Sequence, residues 1–416
     1  MPHDRSSGFT PLPRLVGGLL AGAMLLTATG CVWNNPTGMG RPYSGKSAFM
    51  FEEPLEIAGP IHELSPRPDA EVGDVQFSER TRYVVWADRA RNMLMGAEIG
   101  GSPRELAPIR GRWLIDWTAN GQKFMLTDLS PAALDGRGTA PYLATIYSLD
   151  GSAPVVIGET KEHYAEVLPD GSGLSLTRLQ NESSGNGGMM PGPDLQNRDP
   201  RRLMIRLPGQ AETEEAVLNG PGVGLWSPDA QHYAHLEHRN GDPINGLDLK
   251  VYSRDTRTSV LRYHIESDNL RKVKDGLSWG AENTLWFTQA CQVQASASIA
   301  VSSIPIDGRA VTLAIVPLSL EAGETIGAVK LSPDKTRLSI ETSKVVTLTD
   351  EDGGSATGPK SSGILVASLK TGKVRRLTTR GRVVSWLPSG NDLVAATSFD
   401  TNTRYYRIDI PSPEEL

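Results

Sequence analysis

The strongest constraint on what this chain can fold into is a repeat. An apolar or tryptophan residue, a Ser-Pro-Asp-Gly-like turn and a short alternating apolar run follow one another at Val167-Leu168-Pro169-Asp170-Gly171, at Trp226-Ser227-Pro228-Asp229-Ala230 and at Leu331-Ser332-Pro333-Asp334-Lys335. Weaker copies stand at Phe77-Ser78-Glu79, Trp117-Thr118-Ala119-Asn120-Gly121, Trp279-Gly280-Ala281-Glu282-Asn283 and Trp386-Leu387-Pro388-Ser389-Gly390. The leading residue falls at 77, 117, 167, 226, 279, 331 and 386, so the unit is about fifty residues long. Four of the eight tryptophans (Trp117, Trp226, Trp279, Trp386) occupy that one position. Recurrence at such a period marks an array of like supersecondary units.

Each unit reads as two hairpins. Proline presets φ at the first corner of the turn, and Asp, Asn or Gly accepts the next corner and bonds the local backbone. The runs that follow, such as Arg337-Leu338-Ser339-Ile340 and Asp392-Leu393-Val394-Ala395-Ala396, are short and strand-like. A second turn comes later in most units, at Asp150-Gly151, Asp307-Gly308 and Thr371-Gly372. Four short antiparallel strands per unit, repeated, predict an all-β fold, a β-propeller of seven four-stranded blades. The recurrent Pro-Asp turn resembles the PD40, or TolB-like, branch of the propeller superfamily, from about residue 70 to the end. That resemblance implies a fold and no particular function. The chain departs from TolB, which carries a sizeable α/β domain ahead of its propeller. It also departs from prolyl-oligopeptidase relatives, because it has no Gly-x-Ser-x-Gly elbow.

The seventh unit offers only three strands, Arg382 to Trp386, Leu393 to Ser398 and Tyr405 to Ile410, before Pro411-Ser412-Pro413. The segment Glu56 to Leu64 is similar to the second hairpin of the first unit, Glu98 to Leu106. The expectation is that this N-terminal strand supplies the missing fourth strand and shuts the ring, since an open ring would expose two sheet edges.

Ahead of the repeats, Leu15 to Leu26 is uncharged, follows Arg5 and Arg14, and ends in Ala28-Thr29-Gly30 directly before Cys31. A short apolar core behind a basic start reads as an export signal and not as a membrane span, which needs about 20 apolar residues. With the cysteine immediately after the small residues, the segment resembles a bacterial lipoprotein lipobox, with Ala28 where Leu is commonest. The resemblance implies lipidation of the Cys31 thiol, cleavage before it and acylation of the new amino terminus. The expected organisation is a signal peptide over 1–30, a flexible Asn-, Gly- and Pro-rich spacer over 31–48, and the propeller over 49–416. Val32 after the cysteine resembles outer-membrane delivery, facing the periplasm, if the envelope is Gram-negative.

The rest of the composition bounds function mainly by exclusion. The net charge is −6, and residues 1–30 hold Arg5, Arg14 and Asp4, so the exported part is still more acidic. Nucleic acid and anionic lipid surfaces need Lys/Arg patches and are not expected partners. The two cysteines are Cys31 and Cys291; with the first acylated, the second has no intrachain partner, and stability must come from a buried core. Cys291, beside Trp286 and Phe287, is expected to be a small apolar filler.

No linear motif for catalysis, a cofactor or a metal emerges. In a strand, His232 and His238 of His232-Tyr233-Ala234-His235-Leu236-Glu237-His238 share one face and His235 takes the other. The three cannot converge on one ion; only a loop at the strand's end could pair one with Glu237. A half-exposed strand is the expectation. Asp350-Glu351-Asp352-Gly353 lacks EF-hand spacing and reads as a solvated acidic loop. The connections Asp128 to Pro141, Arg178 to Arg201, Glu237 to Gly246 and Lys344 to Ser362 are long, and all would leave one face of the ring. Long loops on a rigid scaffold often carry function. The expectation is therefore a lipid-anchored binding scaffold for a protein or envelope-polymer partner, without cofactor. The alternative is a hydrolase or lyase acting on carbohydrate or peptide in the central funnel, where carboxylates from different blades could meet without a linear motif.

Overall fold

The computed structural model describes residues 61–63, 72–78, 81–109, 112–129, 142–160, 165–179, 200–219, 223–238, 246–265, 276–293, 296–349, 355–399 and 402–416. They form strands and turns with no helix. Numbered along the chain, the strands run from β1 (Ile61–Glu63) and β2 (Val72–Phe77) to β28 (Asn402–Asp409), and they assemble into seven four-stranded antiparallel sheets. These are the seven blades of a β-propeller. Six are consecutive runs, β2 to β5, β6 to β9, β10 to β13, β14 to β17, β18 to β21 and β22 to β25.

The seventh sheet has the order β1-β28-β27-β26. Ile61, His62 and Glu63 pair antiparallel with Ile408, Arg407 and Tyr406, so the N-terminal strand closes the last blade as the missing edge implied. A second closure comes from packing. Phe77 and Tyr405, from the first and last blades, lie 4.9 Å apart by ring centroids, inside a shared cluster with Val84, Trp86, Val394 and Ala396.

The core is distributed. It consists of seven apolar clusters, each joining two neighbouring blades, such as Leu249, Val251 and Ile265 against Trp279, Leu285 and Phe287. Period-two alternation sends successive side chains of one strand to opposite neighbours. Tyr233 thus joins Leu203 and Ile205 of the preceding blade, while Ala234 joins Phe287 of the following one.

The repeat motif acquires a specific geometry. In Trp226-Ser227-Pro228-Asp229-Ala230 the Ser227 hydroxyl donates to Asp229 and accepts from the His232 amide at 2.9 Å, while the Gln231 amide donates to Asp229. Ser332, Asp334, Thr336 and Arg337 repeat this network, as do Thr118, Asn120, Gln122 and Lys123. The residue after the Asp or Asn, or after Ser389 in the last blade, turns left-handed: φ is 66° at Gly121, 72° at Gly171 and 71° at Gly390, but also 58° at Ala230 and 60° at Lys335. The side-chain bonds hold two non-glycine residues in a conformation that costs them of order 1 kcal/mol.

The recurrent tryptophan links blades. The indole of Trp279 donates to the Leu225 carbonyl at 3.0 Å, and that of Trp386 to the Lys330 carbonyl at 3.3 Å. In both, the acceptor is the residue just before the motif position of the preceding blade. Trp226 keeps the position without the bond, its indole nitrogen buried with no partner among the described residues.

The outermost strand of six blades carries one extra residue opposite its neighbour. These bulges fall at Leu106, Ile157, Glu215, Val260, Leu313 and Leu377. A bulge twists an edge strand away from pairing, which protects a ring that otherwise presents an open ladder on every blade.

One loop assignment is corrected. The stretch Lys344 to Ser362 is mostly strand, because β23 (Arg337–Thr349) and β24 (Ser355–Ser368) run on as a ribbon. Its alternation of Thr, Ser and Val suits a pleated surface that needs no core. Residues 49–346 and 358–416 make up the ring's compact unit. Residues 347–357 belong to a second unit, in which the Thr347 and Thr357 hydroxyls lie 2.8 Å apart.

Two outcomes check this description. Deleting residues 50–65 should expose the β28 edge and cause aggregation; a monomeric product with unchanged melting temperature would contradict closure by β1. Ser332→Ala should cost about 1–2 kcal/mol in denaturant unfolding, because it removes the acceptor for a buried amide.

Candidate functional site

The densest grouping of ionisable side chains lies on one face of the fourth blade, built from β15 (His232–His238), β16 (Leu247–Ser253) and β17 (Thr258–Ile265). The register sets His235 opposite Lys250, which is opposite Arg262, and sets Glu237 opposite Asp248, which is opposite His264. Residues two apart on a strand share a face, so these six form a grid of two rows and three strands. Alternation turns the grid towards the third blade, whose chain contributes Asn219 just after β13 (Thr213–Leu218). Tyr233 continues the same face into the apolar cluster, and Gly224 is required beneath it: a Cβ there would lie 1.8 Å from the Tyr233 hydroxyl.

His235, Glu237 and Asp248 of the grid are buried, while Arg262 reaches the surface with 61% of its side chain exposed. Asp248 accepts from Arg262 at 2.6 Å and lies 3.3 Å from His264 Nδ1. Burial opposes its ionisation, but the hydrogen bonds from Arg262 and His264 prevail and hold the carboxyl below the usual range. Glu237 is paired with Lys250 and accepts from the Asn219 amide at 3.2 Å. His235 is fully buried, 3.7 Å from Glu237, and neither ring nitrogen has a hydrogen-bond partner among the described residues. Burial, and then the Lys250 ammonium, push its pKa down to about 3, so the imidazole is neutral. Burial raises Tyr252 to about 12, with Glu237 adding to it.

A second cluster lies at the entry to the sixth blade. Glu324, first residue of β22 (Glu324–Leu331), is buried and takes both carboxylate bonds of Arg376, at 2.9 and 3.0 Å. Thr342 and the Glu321 amide donate to it as well. Despite burial, these donors keep its carboxyl low. One carboxyl is raised: burial comes first, and a hydrogen bond with Asp409 across the strand pair adds to it at Asp392.

The sequence-derived candidates divide as follows. Cys31 lies outside the described residues, as do 130–141, 180–199, 239–245 and the acidic run Asp350 to Gly353. The histidine strand does not bring its histidines together, as its alternation implied: His235 faces the third blade, while His232 lies against Trp279 of the fifth. It is buried, however, not half-exposed, with Ala234, His235 and Leu236 at 0%, because three further strands of its own blade and two neighbours cover it. Cys291, expected to fill a small apolar gap, is instead exposed; it follows the end of the apolar packing on β19 (Thr284–Val293), so it fills no core. Asp248, Lys250, Arg262 and His264 were not singled out from sequence. Their i, i+2 spacing on consecutive strands is visible there, but the pairing that joins them is not. Among the described residues no three His, Cys, Asp or Glu side chains converge on a metal site.

The chain matches no protein-family model and no curated protein sequence. Its likeness is to solved propellers. An oligogalacturonate lyase in complex with manganese is 13% identical, with a TM-score of 0.55 over 88% of this chain and 98% of that one. The Swd1 propeller domain of Myceliophteria thermophila is 10% identical, with a TM-score of 0.49 over 85% and 100%. TolB of Agrobacterium tumefaciens is 13% identical, with a TM-score of 0.36 over 82% and 100%. At 13% identity the first of these likenesses shows the fold alone, and a fold does not fix a function.

The buried histidine makes a pH prediction. His235 titrates near 6.5 when unfolded and near 3 when folded, so between those values the unfolded chain binds the extra proton. Stability therefore falls as pH drops through that window, by up to about 1.4 kcal/mol per pH unit. His235→Gln should flatten this slope in denaturant titrations; an unchanged slope would show that His235 is not the proton acceptor.

Proposed function

We propose that this protein is a lipid-anchored cell-envelope β-propeller that serves as a binding scaffold for a protein or envelope-polymer partner. The observation that carries the reading is how the buried charges are used. Asp248 and Glu324 are held ionised by Arg262 and Arg376, and Glu237 is paired with Lys250. Groups locked in this way hold the strands of one blade in register and are not poised to exchange protons with a substrate. Glycoside hydrolysis would require two carboxyls about 5–10 Å apart with one protonated. The raised carboxyl of Asp392 instead shares a hydrogen bond with Asp409, and Arg407 lies 3.7 Å from it. Such a pair leaves no room for a sugar between its members.

Binding is then assigned to the connections between second and third strands. An up-and-down blade places these on the face opposite the Ser-Pro-Asp turns. The connections between β7 (Lys123–Leu129) and β8 (Tyr142–Ser148), and between β11 (Leu174–Leu179) and β12 (Arg201–Arg206), are the long ones. Acylation of Cys31 would hold that scaffold at a membrane, in the outer membrane facing the periplasm if the cell is Gram-negative. The acidic net charge of −6 suits neither nucleic acid nor an anionic lipid surface.

Two experiments test the parts separately. Cys31→Ser should move the protein from the membrane to the soluble fraction, since acyl chains supply about 0.8 kcal/mol per buried CH₂; pelleting that survives a salt wash would refute the anchor. Replacing residues 180–200 by a short turn should leave folding nearly intact, because each doubling of loop length changes the entropy term by only about 0.6 kcal/mol. Capture of cross-linked envelope partners should fall in that variant and persist when the opposite-face turn Asp307-Gly308 is altered. Equal capture by both would refute the binding face.

A further inference from the structure

The seams between blades are not alike. Indole bonds of 3.0 and 3.3 Å cross from the fifth blade to the fourth and from the seventh to the sixth. Asp116 and Glu341 accept from the Val167 and Val383 amides of the next blade, each at 2.6 Å. At the seam between the third and fourth blades the contacts among the described residues are longer. The Asn219 amide lies 3.2 Å from Glu237, the Tyr252 hydroxyl 3.4 Å from the Val217 carbonyl, and Arg257 3.7 Å from Glu215. Five buried side-chain atoms there have no hydrogen-bond partner among the described residues: Trp226 Nε1, Arg201 Nε, Glu215 Oε2 and both ring nitrogens of His235. Unpaired buried polar atoms weaken a contact.

His235 stands at the middle of this seam. β14 (Val223–Trp226) sets only Gly224 opposite it. Its own strand places Tyr233 and Glu237 on the same face, and β16 sets Lys250 opposite. From the third blade come Arg201 on β12, the Asn219 backbone after β13, and, nearer Tyr233, Glu166 on β10 (Ala165–Val167). Lys250 and Arg201 both oppose a proton on the ring, while the Asn219 backbone favours one without reaching hydrogen-bond geometry. Glu237, 3.7 Å away, is already engaged by Lys250 and the Asn219 amide. A neutral imidazole fits this surrounding. An imidazolium would add two N–H donors without acceptors and a charge between two cations.

We propose that the seam between the third and fourth blades is an acid-operated latch: protonation of His235 parts these two blades while the other seams hold, and neutralisation rejoins them. Each blade keeps its own strand ladders when this happens, because only side chains cross the seam. Parting brings the imidazole into water, where it takes up a proton at its ordinary value near 6.5; in the closed ring it does so only near 3. The open form therefore holds the extra proton between those values, and each pH unit downward favours opening by up to about tenfold. The latch is independent of the lipid anchor and of the long connections assigned to binding.

A thiol placed in the seam reads the opening directly. Ala216 lies in the cluster shared by the third and fourth blades, and Ala367 in the one shared by the fifth and sixth. In the full chain with its own cysteines replaced by serine, Ala216→Cys and Ala367→Cys are each treated with dithiodipyridine, which reacts in acid. Rates are divided by that of a free thiol at the same pH. From pH 6 to pH 4 the relative rate at Ala216→Cys should rise by up to about a hundredfold, and return when the pH is restored, while Ala367→Cys stays protected. Adding His235→Gln should flatten the rise; His232→Gln, on the other face of the same strand, should leave it intact. An equal rise at both thiols would mean general unfolding and would overturn the latch, whether or not His235→Gln folds. So would a seam thiol that stays protected at pH 4, or a rise that survives His235→Gln.

Discussion

No blade of this protein has a core of its own. A four-stranded sheet is apolar on both faces here, and each face is covered only by the next sheet around the ring. That single constraint explains why Leu249 and Val251 pack on Leu285 and Phe287 of another blade. It also makes the first and last blades dependent on each other: were the ring open, Phe77, Trp86 and Tyr405 would all be bare. Closure by Ile61–Glu63 is therefore worth more than three residue pairs suggest. The C-terminus adds to it. Arg337, almost wholly buried, donates to the Pro411 carbonyl and the Asn391 side chain at 2.9 Å while pairing with Asp334. One guanidinium thus ties the sixth blade's turn to the seventh blade and to the tail beyond β28. Asp334 is the carboxylate among these partners, and losing it would leave a buried cation without its counter-charge.

The fold was legible because the motif residues serve the ring locally and repeatedly. Ser227, Asp229 and their counterparts bond within five residues of themselves, so the turn they make can be read from the chain alone. The tryptophan position was legible as a regularity before its purpose was known. Only the structure shows that Trp279 and Trp386 each reach the preceding blade's inner strand. Alternation also separated His232 from His235 correctly. It could not say how deeply the strand would be buried, since burial depends on what the neighbours bring.

The charged grid was not legible for a related reason. His235, Glu237, Asp248, Lys250, Arg262 and His264 become one site only through the registers of β15, β16 and β17. A slip of one residue would turn half of them to the other face. The same holds for Arg376 and Glu324, which lie far apart in sequence and meet through the width of a blade. Long-range charge pairs have no periodic signature. The stretch 344–362 reads as a loop for the opposite reason: its Ser, Thr and Gly content suits one, yet β23 runs to Thr349 and β24 begins at Ser355.

Repetition and function pull against each other in such a molecule. A ring needs seven nearly equivalent interfaces, and the seven blade-to-blade apolar clusters supply that equivalence, with the turn networks and indole bonds reinforcing some of them. Whatever distinguishes this protein must then come from where the blades differ. Two kinds of difference stand out. Between the third and fourth blades, apolar packing gives way to paired charge, which fixes register at a cost in desolvation that pairing offsets. On the fifth blade, charge is removed from three successive strands and apolar side chains are left bare. A neutral, apolar rim left bare is a standing aggregation hazard. Every other outer strand carries at least one charged residue, so the fifth blade is the one place where the ring leaves out this safeguard.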